Sequence, residues 1–211
     1  VTIANARLLT LAGPSGARSG EAMRELNEIE HGWVAVEDGR IHGIGTGTPP
    51  EEMTAEVVLD LDGRIVLPAW VDCHTHACWA GSRLDEWEQL LAGATYSEIL
   101  ASGGGILSTV RAVRNASQED LTNDLLSRIG RLQTFGTGTI EVKSGYGLTT
   151  ESELRMLRAI HEVSRTAESQ IVGTFLGAHA IDTEQPDFVD RVIEETLPAV
   201  AEEFPGITCD A

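Results

Sequence analysis

The sequence predicts an α/β protein built on a parallel sheet, preceded by a small region of strands and turns. Three observations lead there. After Pro68, apolar strand-like runs alternate with longer amphipathic helical segments, the pattern of βαβ units. Before Pro68, short apolar alternations flank Asp-Gly pairs, the signature of hairpin turns. The composition is that of a globular chain: 211 residues, 42% hydrophobic, 22 Gly and 7 Pro.

In the first region, IANARLLTL (3–11) reads as a strand. Residues 12–30 read as a variable loop, rich in Gly and Ser at its start and acidic at its end. WVAVEDGRIHGIGTG (33–47) places Val34 and Val36, then Ile41 and Ile44, around Asp38-Gly39, which predicts a hairpin. EVVLDLDGRIVLPAWVD (56–72) repeats the device around Asp62-Gly63. The domain division expected is a β-region over 1–66 and an α/β region over 67–211.

In the second region, SQEDLTNDLLSRIGRL (117–132) opens on Ser117 as N-cap, with Leu121, Leu125, Ile129 and Leu132 on one helical face. GTGTIEVKSGYG (136–147) is a β-rich run ending in glycines. TESELRMLRAIHEVSR (150–165) reads as a helix with a Thr150/Glu153 capping box. IVGTFLGAHA (171–180) has the pattern of a buried strand. DFVDRVIEETLPAVAEEF (187–204) is amphipathic, and Pro198 is expected to kink or divide it. GITCDA begins another strand. A (β/α)8 barrel takes about 250 residues. The α/β region holds three strand–helix units and the start of a fourth strand, so the sequence ends in mid-architecture.

Charge and cysteines narrow the function. Fifteen basic against 33 acidic side chains give a net charge of −18, a field that repels phosphate backbones and argues against a nucleic-acid partner. No apolar run reaches the length of a membrane helix, and no signal-peptide pattern opens the chain. Cys73, Cys78 and Cys209 are too few and too odd for a disulfide framework and suggest a reducing compartment, with cytoplasmic localisation expected.

The chemistry concentrates in LPAWVDCHTHACWAGSR (67–83). On a strand, His74 and His76 project to the same side; on a helix they would diverge by about 200°. They follow an apolar run, so they are placed at the C-terminal end of a strand, where parallel barrels carry their active sites. A bare His-x-His is equally compatible with two ordinarily hydrogen-bonded histidines. A structural zinc site using Cys73 or Cys78 fits less well, since Cys73 faces away from His74. Gly103, Gly104 and Gly105 invite a phosphate-loop reading, but no Gly-Lys-Ser/Thr follows. Lys143 is the only lysine beside 14 arginines and is read as structural or as a support behind the site residues.

Taken together, VDCHTH with AGSR, LAGATYSEILASGGGILSTVRAVRNAS, TIEVKSGYGL and TFLGAHA closely resemble the imidazolonepropionases, a family of the amidohydrolase superfamily. The resemblance runs from about residue 64 to 182. It implies the N-terminal portion of the family's fold: a partial (β/α)8 TIM-like barrel of the metal-dependent hydrolase type, with part of a small β-sandwich before it. Pro68-Ala69 stands where the family has Pro-Gly, and Cys73 where a proline is common.

The resemblance also implies roles. His74 and His76 look like two ligands of one divalent metal, zinc or iron. Arg83 is similar to the family arginine that holds the substrate's propionate, a task suited to a guanidinium fork. Without that context Arg83 reads as a surface ion pair with Asp85 or Glu86. Tyr96, Tyr146 and His179 resemble substrate-contacting residues. The further metal ligands and the general acid/base are expected in segments that this sequence does not contain. The implied reaction opens the imidazolone ring of 4-imidazolone-5-propanoate, giving N-formimidoyl-L-glutamate in histidine degradation. The implied partners are that small molecule and a second copy in a homodimer, with no nucleic acid and no membrane. Two rivals remain: a cyclic amidine or purine deaminase of the same superfamily, and a non-catalytic fragment or half-enzyme that needs a second chain.

Overall fold

The computed structural model describes residues 1–13 and 15–211. It divides into two compact units, Val1–Pro68 and Ala69–Ala211.

The first unit is a five-stranded sheet. It contains β1 (Thr2–Leu9), β2 (Glu28–Glu37), β3 (Arg40–Thr46), β4 (Val58–Asp60) and β5 (Ile65–Val66). The spatial order is β3-β2-β1-β4, with β5 also against β1. The 33–47 hairpin is present: β2 and β3 pair antiparallel, with Glu37 opposite Arg40. Asp38 and Gly39 both have positive φ, 49° and 73°, which matches the right-handed twist of the flanking strands. Ala6, Leu8 and Val34 form the core, with Ile29, Leu61 and Val66 packed around them. Ile41 and Ile44 are exposed on the edge strand β3. Gly45 leaves room for the Trp33 ring, which would lie 2.6 Å from a Cβ there.

Two expectations change in this unit. Residues 28–30 belong to β2 rather than to the 12–30 loop; Pro14 of that loop lies outside the described residues. The second Asp-Gly pair turns as expected, with φ of 49° and 75°, but its flanks do not pair with each other. Both run parallel to β1, β4 beside residues 2–4 and β5 beside residues 7–8. The cause lies in β1. Asn5 has φ 51°, and its carbonyl accepts from Gly63 while its side chain donates to Asp60. The turn is thus a kink opposite a bulge, not a reversal.

The second unit is a parallel sheet in the order β6 (Trp70–Asp72), β7 (Thr137–Lys143), β8 (Gln170–Phe175), β9 (Thr208–Cys209). It curls as half a barrel. Between β6 and β7 lie α1 (Leu84–Leu91), α2 (Tyr96–Ala101), α3 (Ile106–Asn115) and α4 (Gln118–Thr134). Between β7 and β8 lies α5 (Thr150–Thr166). The core forms where Leu121, Leu125 and Ile129 of α4, and Met156, Ile160 and Val163 of α5, meet Ile140, Val142 and Phe175 of the strands. Ser117 caps α4 in a full capping box with Asp120.

The N-terminus of α5 differs from expectation. Thr149, not Thr150, is the N-cap and accepts from Ser152 N–H. Glu153 is free to turn inward, and it does so at 1% exposure. The segment over 187–204 divides into α6 (Phe188–Arg191), a π turn (Val192–Thr196) and α7 (Leu197–Glu203). Pro198 sits in the first turn of α7, where its missing N–H costs little, and the helix widens immediately before it. β8 ends at Phe175 rather than running to residue 180. There Ser144 Oγ takes the N–H of Leu176, and the carbonyl of Leu176 accepts from His179 in a tight turn.

Candidate active site

The strands of the second unit are parallel, so the chain leaves all of them on one edge of the sheet. His74 and His76 follow β6, Tyr146 follows β7, His179 follows β8 and Asp210 follows β9. Four of these side chains meet. The His74 and His76 ring centres are 5.4 Å apart. His76 stacks on His179 at 4.6 Å with 28° between planes, and Tyr146 stands 5.8 Å from His76 and 5.4 Å from His179. His76 Nδ1 is buried and has no hydrogen-bond partner. Burial, reinforced by His179, His74 and Lys143, pushes the His76 pKa down. His179 is likewise lowered, mainly by burial, against the opposing pull of Glu153. Neutral imidazoles with a free nitrogen suit metal ligation or hydrogen bonding.

Arg83 joins the cluster across a cavity of about 240 Å³ that it lines with His76, Trp79, Ser82, Thr109 and Tyr146. Its Nε donates to Glu86 at 2.7 Å, so the ion pair expected from sequence coexists with the cavity position. Glu86 also accepts from Gly105 N–H at 3.0 Å, which ties the glycine run to Arg83. Tyr96 opens α2 at 53% exposure, with its hydroxyl close to Gly105; it is not part of the His74–His76–Tyr146–His179 group. Cys73 and Cys209 are exposed thiols and Cys78 is a buried one; none is paired.

Three acidic supports escaped the sequence reading. Glu141 Oε2 accepts from Thr75 N–H at 3.1 Å, and the Thr75 hydroxyl donates to the Glu141 carbonyl at 2.6 Å. Lys143 N–H then donates to the Thr75 carbonyl at 3.0 Å. The residue between the two histidines is therefore held by β7 at three points. Lys143 Nζ donates to Glu141 Oε1 at 2.6 Å and to Asp210 Oδ2 at 2.9 Å. Burial alone would raise the Glu141 pKa, but the hydrogen bonds of Lys143 and Thr75 outweigh it and lower it. The signal was present as Glu141-Val142-Lys143: residues two apart share a face, so opposite charges pair inside a buried strand. Glu153 takes the N–H groups of Gly145 (2.9 Å), Gly147 (2.8 Å) and Leu148 (2.9 Å), fixing the loop that presents Tyr146. Its signal was a carboxylate in line with Met156, Leu157 and Ile160 on the apolar face of α5.

The imidazolonepropionase of Herpetosiphon aurantiacus is 46% identical over 199 residues, covering 92% of this chain and 46% of that protein. That of Symbiobacterium thermophilum is 46% identical over 211 residues, 95% of this chain and 48% of that one. Over nearly all of its length, the chain is similar to the imidazolonepropionases. It spans about half the length of the imidazolonepropionases it matches. No family model matches it. Among solved structures it is similar to 5-methylcytosine deaminase from Klebsiella pneumoniae, with TM-score 0.58, 22% identity, and coverage of 92% of this chain and 41% of that one. It also resembles an atrazine chlorohydrolase variant from Arthrobacter aurescens complexed with zinc and atraton, with TM-score 0.52, 14% identity, and coverage of 99% and 45%. Both likenesses are of fold, that of the amidohydrolase barrel enzymes.

The structure of that atrazine chlorohydrolase variant holds zinc. In this chain two adjacent imidazoles, one with an unpartnered buried nitrogen, offer two donors of the kind a divalent metal takes. Among the described residues no group of three or more His, Cys, Asp or Glu side chains could hold a metal ion. Among the described residues no helix is long and apolar enough to cross a membrane.

Proposed function

We propose that this chain carries the substrate-facing half of a hydrolase that opens the ring of 4-imidazolone-5-propanoate to N-formimidoyl-L-glutamate. One observation carries the reading: His74, His76, Tyr146 and His179 converge at one sheet edge, and Arg83 shares a cavity with two of them. His74 and His76 would hold one zinc or iron ion. Such an ion supplies, when bound, a water acidic enough to ionise near neutral pH. Arg83 presents donors to the propionate while its Nε stays on Glu86. Tyr146 and His179 border the ring, and their half-buried setting excludes bulk water from one face. Tyr96 belongs to the same reading as a residue that reaches the substrate from α2. The remaining ligands and the general acid/base belong to segments outside this sequence.

The same proposal reads the first unit as part of a β-sandwich, keeps the domain division at 1–66 and 67–211, and places the enzyme in the cytoplasm as a homodimer. A superfamily deaminase is the weaker alternative, because Arg83 beside the cavity suits a carboxylate-bearing substrate. The other alternative is a non-catalytic fragment or a half-enzyme that needs a second chain.

The test is metal content at equilibrium on the protein together with the segments that supply the remaining ligands, with His74→Ala/His76→Ala as control. One tightly held zinc or iron per chain, lost in the control, is expected. No metal above the control would remove the ligand assignment. Ring opening by the metal-loaded protein, compared between the substrate and its propionamide, then tests Arg83: equal rates would remove its role.

A further inference from the structure

Tyr146 and His179 sit in different loops, yet their rings meet edge to face at 5.4 Å with 77° between planes. The loops leave separate strands, so something must set their spacing. Arg114, near the C-terminal end of α3, touches both. Its Nε donates to the carbonyl of Gly147, next to Tyr146, at 2.8 Å. Its Nη2 donates to Asp182 Oδ2, three residues after His179, at 2.7 Å. Asp182 is 4% exposed and is fixed in turn: Oδ1 accepts from Glu184 N–H at 3.1 Å, and Oδ2 also accepts from the Gln185 side-chain amide. The arginine is itself anchored, because Arg155 Nη1 donates to the carbonyls of Arg114 and Ala116 at 3.1 and 2.7 Å.

The Tyr146 loop is therefore gripped from two sides. Glu153 takes its N–H groups and Arg114 takes its carbonyl. Of these two only Arg114 reaches the His179 loop, where Gln185 beside Asp182 also donates to the Leu148 carbonyl at 3.4 Å. A guanidinium suits this bridge because it offers several donors in one rigid plane; an ammonium is a point charge and cannot span both acceptors at fixed angles. From this geometry we infer that Arg114 is a positioning residue, a cross-brace that sets the distance between the Tyr146 and His179 rings. For catalysis the inference rests on the reading of those two side chains as substrate contacts. The brace itself does not.

The test is spectroscopic, on the 211-residue chain. With 2 Tyr and 6 His in the sequence, selective labelling of their rings leaves few signals. The wild type should show a ring-to-ring NOE between Tyr146 and His179. In Arg114→Ala that cross-peak should disappear and return on adding millimolar guanidinium; in Arg114→Lys it should stay lost. Asp182→Asn leaves the arginine in place and weakens its acceptor, so the cross-peak should fall without unfolding, which covers the case in which Arg114→Ala does not fold. A cross-peak that persists in folded Arg114→Ala or Asp182→Asn, or is absent from the wild type, overturns the brace. A separate arm adds 3-(imidazol-4-yl)propionate to the wild type. No shift at either ring would remove the substrate-contact reading and leave the brace standing.

Discussion

Lys143 and Glu141 lie two residues apart on β7 and share a hydrogen bond of 2.6 Å, and through Glu141 the pair reaches the amide of Thr75. The one lysine of the chain thus stabilises the carboxylate that holds the backbone between His74 and His76. Lys143→Met should cost about 2–4 kcal/mol, between the penalty for an unsatisfied charged group and that for stranding one member of a buried pair. Lys143→Met with Glu141→Leu should recover part of it. Urea denaturation measures both, and a single variant within 0.5 kcal/mol of wild type would sink the account, as about that much is expected of neutral surface changes.

Glu153 offers two oxygens to three amide hydrogens. Glu153→Gln replaces one oxygen with a donor that faces N–H groups. A loss of about 2 kcal/mol is expected, the scale for a buried hydrogen bond left unmade. Acrylamide quenching of tyrosine fluorescence should increase as Tyr146 is released. Unchanged quenching together with unchanged stability would show that the loop does not depend on this carboxylate.

Asp182 gives a pH signature. Burial would raise its pKa, but Arg114, Gln185 and the Glu184 amide outweigh burial and lower it. A carboxylate whose folded pKa is depressed adds stability that is fully present above its unfolded value. That stability is lost as pH falls through the folded value. The stability gap between wild type and Asp182→Asn should therefore be flat above about pH 5 and close below about pH 4, given an ordinary aspartate near 3.9. Thermal midpoints across that range decide it; a gap that widens on acidification reverses the sign and refutes the assignment.

Thiol reactivity should separate the three cysteines. Cys78 is fully buried, and burial pushes its thiol up to about 12. Only the thiolate is nucleophilic, so Cys78 should resist alkylation in the native protein. Cys73 and Cys209 are exposed and should react. Mass spectrometry after brief iodoacetamide treatment should find two labels, with a third only in denaturant. Three labels on the native fold would mean that the packing between α4 and α5 opens readily.

Much of this architecture was legible because it follows local periods. The two-residue period put His74 and His76 on one side, and the helical period gave the α4 face through Leu121, Leu125 and Ile129. What escaped was long-range. Asp62-Gly63 has the conformation of a hairpin turn, but a bulge at Asn5, far away in sequence, redirected its flanks onto β1. Glu153 looked like a capping-box partner because capping is a local rule; its actual use needed the Gly145–Leu148 loop to fold over it. Lys143 stood out by composition, yet Asp210, 67 residues on, could not be paired with it from spacing. Arg114 looked like any helical arginine until two loops closed on it.

The solitary lysine also gives the molecule one addressable seam. A lysine-specific endoprotease has a single bond to cut in these 211 residues, Lys143–Ser144. Both residues are buried, at 4% and 0% exposure, where β7 leaves the middle of the parallel sheet. Fraying loops and surface helices offer such an enzyme nothing. Cleavage into two fragments would count only the openings that separate β7 from its neighbours, and its rate in dilute urea would be a clock for the sheet alone.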